Sequence, residues 1–263
     1  MFLLSLAPDE SARTYLRRLR RPRSFGIPAL DAVAGEAVEI YGESGSGKTE
    51  VLMHAVATWA LPEPVGGRRE AVYFDNDFRL CRRRLRTIVE ARLRAAFDES
   101  EVGPRRDETL ARINVVRCAS TLEFLAALEL VVNGDTPAPS LCAVDSLGAF
   151  VWREDKVADG PPSLSPAAFR TIARFLANDA TVLAAKPVLF NNKPRPDSST
   201  HEEYLPREWT RLVKRRVRVV AVEDASSGKR VFDARLCDLE KPASSTTTNF
   251  SFAVTDAGLA VIT

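Results

Sequence analysis

A chain of 263 residues, 45% hydrophobic and 27% charged, has room for one large α/β domain or two small ones and an ordinary soluble globular composition. Its net charge of +2 excludes a strong overall pull toward nucleic acid, so any such attraction must be local. No apolar run approaches bilayer-spanning length, which removes a membrane reading, and the four cysteines form no C-x-x-C pair that could seed a zinc site.

The opening Met1-Phe2-Leu3-Leu4-Ser5-Leu6-Ala7 is too short for a signal-peptide core. Scattered cysteines with only His54 and His201 beside them fit a reducing intracellular compartment. The basic cluster from Arg17 to Arg23 reads equally as a nuclear-import signal or as a solvated helix face ending at proline. Leu16, Leu19, Phe25, Ile27 and Leu30 form an apolar series that either docks on a partner or closes this chain's own core. Residues 1–35 therefore read as an N-terminal segment and candidate docking linker, and residues 36–263 as the core domain.

The strand-like run Ala37 to Tyr41 leads into Gly42-Glu43-Ser44-Gly45-Ser46-Gly47-Lys48-Thr49, the G-x-x-x-x-G-K-T phosphate-binding loop. The spacing follows from the chemistry. Glycines let successive N–H groups turn inward as an anion nest, and the next helix adds its positive end. Lys48 is placed to reach the β- and γ-phosphates of ATP, and the Thr49 hydroxyl to ligate Mg²⁺. From Thr49 to Ala60 the pattern is helical, with Leu52, Ala55, Val56 and Trp59 on one buried face and His54 packed or solvated.

Ala71 to Asp75 reads as a second strand. A long helix follows, with Leu80, Leu85, Ile88, Val89 and Leu93 on one face and six arginines between Arg82 and Arg94 on the other. Ile113 to Arg117 is a short strand, Thr121 to Val132 a helix, Leu141 to Asp145 a fully apolar strand ending in a carboxylate, Ala167 to Ala180 a helix and Pro187 to Asn191 a strand. Repeated β-α units imply a mostly parallel sheet covered by helices on both faces. Val217 to Val222, Arg230 to Leu236, Asn249 to Val254 and Leu259 to Ile262 are short β-rich runs joined by turn signals, so they predict an antiparallel extension of that sheet. The irregular stretches Glu154 to Ser165 and Lys193 to Pro206 each follow a predicted strand, at the edge where α/β sheets bind ligands.

Asp145 is the expected partner of the phosphate loop, since a buried strand with a carboxylate at its tip can hold Mg²⁺ alongside Thr49. With this second motif the chain resembles the ATPase core of the RecA-type recombinases and, among them, the recombinase paralogues. The stretches that carry the resemblance are Gly47 to His54, Leu61-Pro62 leading to Gly66-Gly67, Val72 to Asp77, Leu141 to Trp152 and Trp209 to Arg216, in the family's order. It implies a RecA-like P-loop α/β core that binds ATP and Mg²⁺. It further implies a nuclear subunit of a heteromer with other RecA-type paralogues, serving homologous recombination, repair of double-strand breaks and crosslinks, and replication fork protection. By position, the two irregular stretches match the family's DNA-facing loops. Their mixed charge leaves a DNA contact and a solvated loop equally open.

Three departures mark this chain off from a hydrolysing recombinase. The family's water-orienting glutamate is matched by Asp77, shorter by about 1.5 Å of reach. A misplacement near 1 Å costs roughly a hundredfold in rate, so slow or absent hydrolysis is expected. Its γ-phosphate-sensing glutamine is matched by Lys193, which carries charge but no neutral amide. Finally, only about 35 residues precede the first strand where full recombinases carry a further domain, which favours joining a small heteromer over homopolymer growth. Two other readings stand beside this one: an ATP-hydrolysing strand-exchange recombinase, and a P-loop small-molecule kinase using the Arg82 to Arg94 helix as a lid.

Overall fold

The computed structural model describes residues 24–133, 139–150, 165–177, 180–187, 205–223, 230–239 and 247–262. A short helix α1 (Pro28–Asp31) leads into β1 (Ala37–Gly42), whose C-terminal end opens into α2 (Lys48–Ala60). Next come β2 (Ala71–Asp75), α3 (Arg82–Arg94), α4 (Glu99–Ala111), β3 (Ile113–Val116), α5 (Thr121–Asn133) and β4 (Leu141–Asp145). The chain continues through α6 (Ser165–Ala177), β5 (Thr181–Pro187), α7 (Arg207–Leu212) and β6 (Val213–Glu223), and ends in β7 (Arg230–Asp238), β8 (Thr248–Thr255) and β9 (Gly258–Ile262).

The strands form one sheet in the order β3-β2-β4-β5-β1-β6-β7-β8-β9. Pairings from β3 across to β6 are parallel, and those from β6 to β9 antiparallel. This is the expected mostly parallel α/β sheet with an antiparallel extension. The register sets Asp75 opposite Asp145, so the two carboxylates sit side by side at the C-terminal edge of neighbouring strands.

Side chains along β2 alternate between two cores because successive residues of a strand point to opposite faces. Tyr73 joins the core under α2 and α3, whereas Val72 and Phe74 join the core under α5, α6 and α7. Trp59 and Phe25 stack at 5.0 Å in the first core, and Phe74 meets Phe124 edge-on in the second. Both faces of the parallel region are therefore covered, which is why β2 and β4 are buried throughout and carry charge only at their terminal aspartates. Phe25, Ile27 and Leu30 are each at most 1% exposed within the first core. Of the two readings of this apolar series, packing within the chain is the one observed for these three; Leu16 and Leu19 lie outside the described residues.

β1 also carries a buried ionic cluster. Glu39, fully buried, accepts a hydrogen bond from Trp209 Nε1 of α7 at 2.7 Å. Its carboxylate also lies 2.9 Å from Arg216 Nε of β6 and 3.9 Å from Lys186 Nζ of β5.

Several elements depart from the sequence expectations. α4 had no counterpart there, because Gly103 and Pro104 lie inside it and only Val102 and Thr109 are buried. Its exposed face is instead held by pairs such as Arg105–Glu101 and Arg112–Glu108, one helical turn apart. The strand expected from Pro187 begins already at Thr181; residues 188–191 lie outside the described residues. α6 is described as far as Ala177, and Ala180 is buried just before β5 and outside the helix. Among the described residues no helix is long and apolar enough to cross a membrane.

Candidate functional site

The phosphate loop spans the C-terminal end of β1 and the start of α2. Gly45 and Gly47 take φ of +81° and +89°, a region that L side chains enter only at a cost. Gly42 is required for a different reason: a Cβ there would meet the Val219 carbonyl oxygen at 2.3 Å, so the loop can leave β1 beside β6 only without a side chain. No side chain caps the N-terminus of α2, where the cap position is Gly47 itself. The first-turn N–H groups of a thirteen-residue helix thus face the loop without an internal acceptor, a ready anion site.

Lys48 Nζ donates to the carbonyls of Gly42 at 2.8 Å and Glu43 at 2.6 Å. Burial holds its ammonium below the ordinary lysine range, with Asp145 opposing that shift and Arg79 adding to it. Thr49 Oγ1 donates to Asp145 Oδ2 at 2.7 Å, which joins the two motifs inferred from sequence. Tyr73 OH donates to the same oxygen at 3.0 Å from within the core. Burial raises the Asp145 pKa, and these two donors pull it back by stabilising the anion. The Tyr73 phenol is pushed well above its usual range, by burial first and by Asp145 second, so it remains a donor.

Residues of the loop and of the strand tips line a cavity of about 320 Å³, among them Ser44, Gly45, Gly47, Lys48, Thr49, Asp77, Asp145 and Ser146. Within the loop Glu43 and Ser44 are exposed and Ser46 is buried. Ser146 Oγ is buried without a hydrogen-bond partner among the described residues, a polar atom left for a ligand or water. Among those residues no three His, Cys, Asp or Glu side chains gather as a metal cage. The donor set fits Mg²⁺ held by the Thr49 hydroxyl and the Asp145 carboxylate, with nucleotide phosphates and water supplying the other ligands. The phosphate cradle fits the tail of ATP.

The sequence-derived residues from Gly42 to Thr49, with Asp77 and Asp145, come together here. Lys193 lies outside the described residues, as do residues 154–164 and 193–204 of the two irregular stretches and the basic cluster of Arg17 to Arg23. Asp75 is structural: its Oδ1 accepts from the Arg79 and Leu80 amides, and its Oδ2 pairs with Arg117 at 2.9 Å. His54 is a core residue whose Nδ1 accepts from the Leu259 amide, and burial drives its pKa down to about 4. Sequence reasoning missed Tyr73, Arg79 and Phe232. Tyr73 looked like one more apolar strand position, and Phe232 reaches the cavity from a strand nearly two hundred residues downstream of the loop. Arg79 was hidden among the arginines that follow it. Four of the six on α3 are paired within the chain: Arg84 with Glu50, Arg86 and Arg94 with Glu90, and Arg92 with Thr58.

No family model matches the chain. The mouse DNA repair protein XRCC2 is 30% identical over 220 residues, covering 75% of this chain and 76% of that protein. The chain belongs to the RecA-type recombinase paralogues, in the XRCC2 family. An XRCC2 homolog from Arabidopsis thaliana is 31% identical over 187 residues, 56% of this chain and 50% of that protein. The DNA repair and recombination protein RadA of Methanocorpusculum labreanum is 30% identical over 102 residues, 36% of this chain and 31% of its own. In fold, the crystal structure of the RadB recombinase matches with a TM-score of 0.63 at 17% identity, covering 90% of this chain and 98% of that one. The recombinase paralogue fold expected from the motifs is therefore established.

Proposed function

We propose that this chain is an ATP- and Mg²⁺-binding subunit of a heteromeric complex of RecA-type recombinase paralogues. In this reading it acts in the nucleus in homologous recombination, in the repair of double-strand breaks and crosslinks, and in replication fork protection, meeting DNA within the complex. The observation that carries the nucleotide half is the 2.7 Å contact of Thr49 with Asp145 beneath an uncapped helix N-terminus. The relationship to proteins named for DNA repair supports the rest. Bound Mg²⁺ would neutralise phosphate charge. The chain's own part is to seat the phosphates on the loop amides, hold their charge with Lys48, and keep Asp145 ionised through Thr49 and Tyr73.

Hydrolysis is slow in this reading because Asp77, the residue at the water-orienting position, is an aspartate. The reading of a hydrolysing strand-exchange recombinase needs that position to work. The kinase reading has less support, since Arg84 is paired with Glu50 and Arg92 with Thr58, which leaves fewer arginines of α3 for a lid.

Lys48→Ala separates assembly from nucleotide chemistry. It is expected to weaken ATP binding while sparing co-purification with a paralogue partner and rescue of cells after DNA crosslinking. Deletion of Met1 to Arg23 is expected to impair the pull-down. The burial of Phe25, Ile27 and Leu30 makes these three unsuitable as docking probes. Asp77→Glu is expected to raise turnover. A wild-type rate in the ordinary enzyme range of roughly 1 to 1,000 per second would sink the slow-hydrolysis half. Loss of both assembly and repair in Lys48→Ala, with a silent deletion, would sink the assembly half.

A further inference from the structure

The turn between β2 and α3 places a second cation on the wall of the phosphate cavity. Arg79 sits there opposite the loop, and its backbone is firmly held. Asp75 Oδ1 accepts from the Arg79 amide at 2.8 Å and from the Leu80 amide at 3.0 Å. The amides of Asn76 and Asp77 donate to the Asp145 carbonyl at 2.7 and 3.1 Å, so the whole turn rides on the strand tip that carries Asp145.

The guanidinium itself is uncommitted among the described residues. The carboxylates within reach of this turn are taken: Glu50 by Arg84, with contacts of 3.0 and 3.1 Å, and Asp75 by Arg117. Asp77 lines the same cavity without pairing to Arg79. Lys48 and Arg79 line the same space of about 320 Å³, where their like charges repel one another. An anion of high charge density between them would relieve that repulsion and use both sets of donors.

We propose that Arg79 is a second phosphate-binding cation of this site, supplied by the same chain as Lys48, which makes the site favour a nucleoside triphosphate over the diphosphate. This rests on the nucleotide-binding reading above. It adds that the occupied state reports the terminal phosphate, so the subunit distinguishes triphosphate from diphosphate without turning either over.

The test is isothermal titration calorimetry of the full chain, with Mg²⁺ and either adenylyl imidodiphosphate or ADP, for wild type, Arg79→Ala, Arg79→Lys and Lys48→Ala. Arg79→Ala is expected to weaken the imidodiphosphate about tenfold while moving ADP by less than about twofold, with Arg79→Lys in between. Thermal melts of the two Arg79 variants should coincide with wild type. If wild type binds both ligands and Arg79→Ala leaves their affinity ratio unchanged, this inference is overturned and the nucleotide reading stands. If Lys48→Ala removes the triphosphate preference and Arg79→Ala does not, Lys48 alone senses the terminal phosphate and the inference is again overturned. If wild type binds neither ligand, both fall.

Discussion

Replacing Tyr73 with phenylalanine removes one oxygen and nothing else, and that oxygen donates to the carboxylate on which the two nucleotide motifs converge. Tyr73 is fully buried and Asp145 is 2% exposed, so water cannot take over the lost contact. A hydrogen bond to a charged acceptor contributes about 1.5–3 kcal/mol, which sets the expected loss near 2 kcal/mol at neutral pH. The pH dependence is as informative as the size. Burial already raises the Asp145 pKa above its unfolded value. The contribution of such a group is therefore fully present in acid, below that unfolded value, and is lost as pH rises through the folded one. Removing a donor to the anion raises the folded value further. Tyr73→Phe should thus trail wild type by about 2 kcal/mol at neutral pH and by about 1 kcal/mol or less in acid, where the carboxyl is neutral. Urea unfolding at both pH values measures this as a shift in midpoint at constant m-value. A deficit that does not change with pH, or one below about 0.5 kcal/mol at neutral pH, would refute the reasoning.

Two glycine substitutions in the loop should separate crowding from backbone strain. Gly42→Ala drives a Cβ against the Val219 carbonyl and should lose about 2–3 kcal/mol in chemical denaturation. Gly45→Ala meets no atom within 4 Å and should lose only about 1 kcal/mol, from its φ of +81°. Because His54 titrates at about 4 when folded, against 6.5 unfolded, its contribution is present above the unfolded value and lost as pH falls. Wild type should therefore lose about 2 kcal/mol between about pH 7 and about pH 5, and His54→Gln should show a flatter profile over that window.

What could be read in the sequence divides along physical lines. The loop and Asp145 were legible because their chemistry fixes residue type and spacing locally, and β2 and β4 because a doubly covered strand reads as a continuous apolar run up to its tip. The α4 helix was not, because local propensity argues against it at Gly103 and Pro104 and the support comes from ion pairs and from Arg105 over the Phe97 ring. The boundary of β5 slipped because Thr181-Val182-Leu183-Ala184-Ala185 carries no periodicity, and alanine and leucine suit a helix as well as a buried strand. Lys186 and Glu39 are polar letters in apolar strands, and only the sheet order reveals that they meet. Tyr73 and Arg79 belong to the site for the same reason: neighbours that choose them are distant in sequence, and no local pattern announces it.

The ionic cluster around Glu39 gives the sheet a mechanical character. Glu39 lies three residues before Gly42, on the strand that becomes the phosphate loop, and it is bound at once to β5, β6 and α7. Prising β6 away from β1 would strand a fully buried carboxylate whose remaining cation is 3.9 Å away, and breaking such a pair costs about 3–5 kcal/mol. The β1–β6 seam is thus tied by buried charge as well as by its backbone ladder. A load applied to the outer strands by any bound assembly would be carried inward through β6 to β1, arriving at the loop as a displacement of the strand that anchors it.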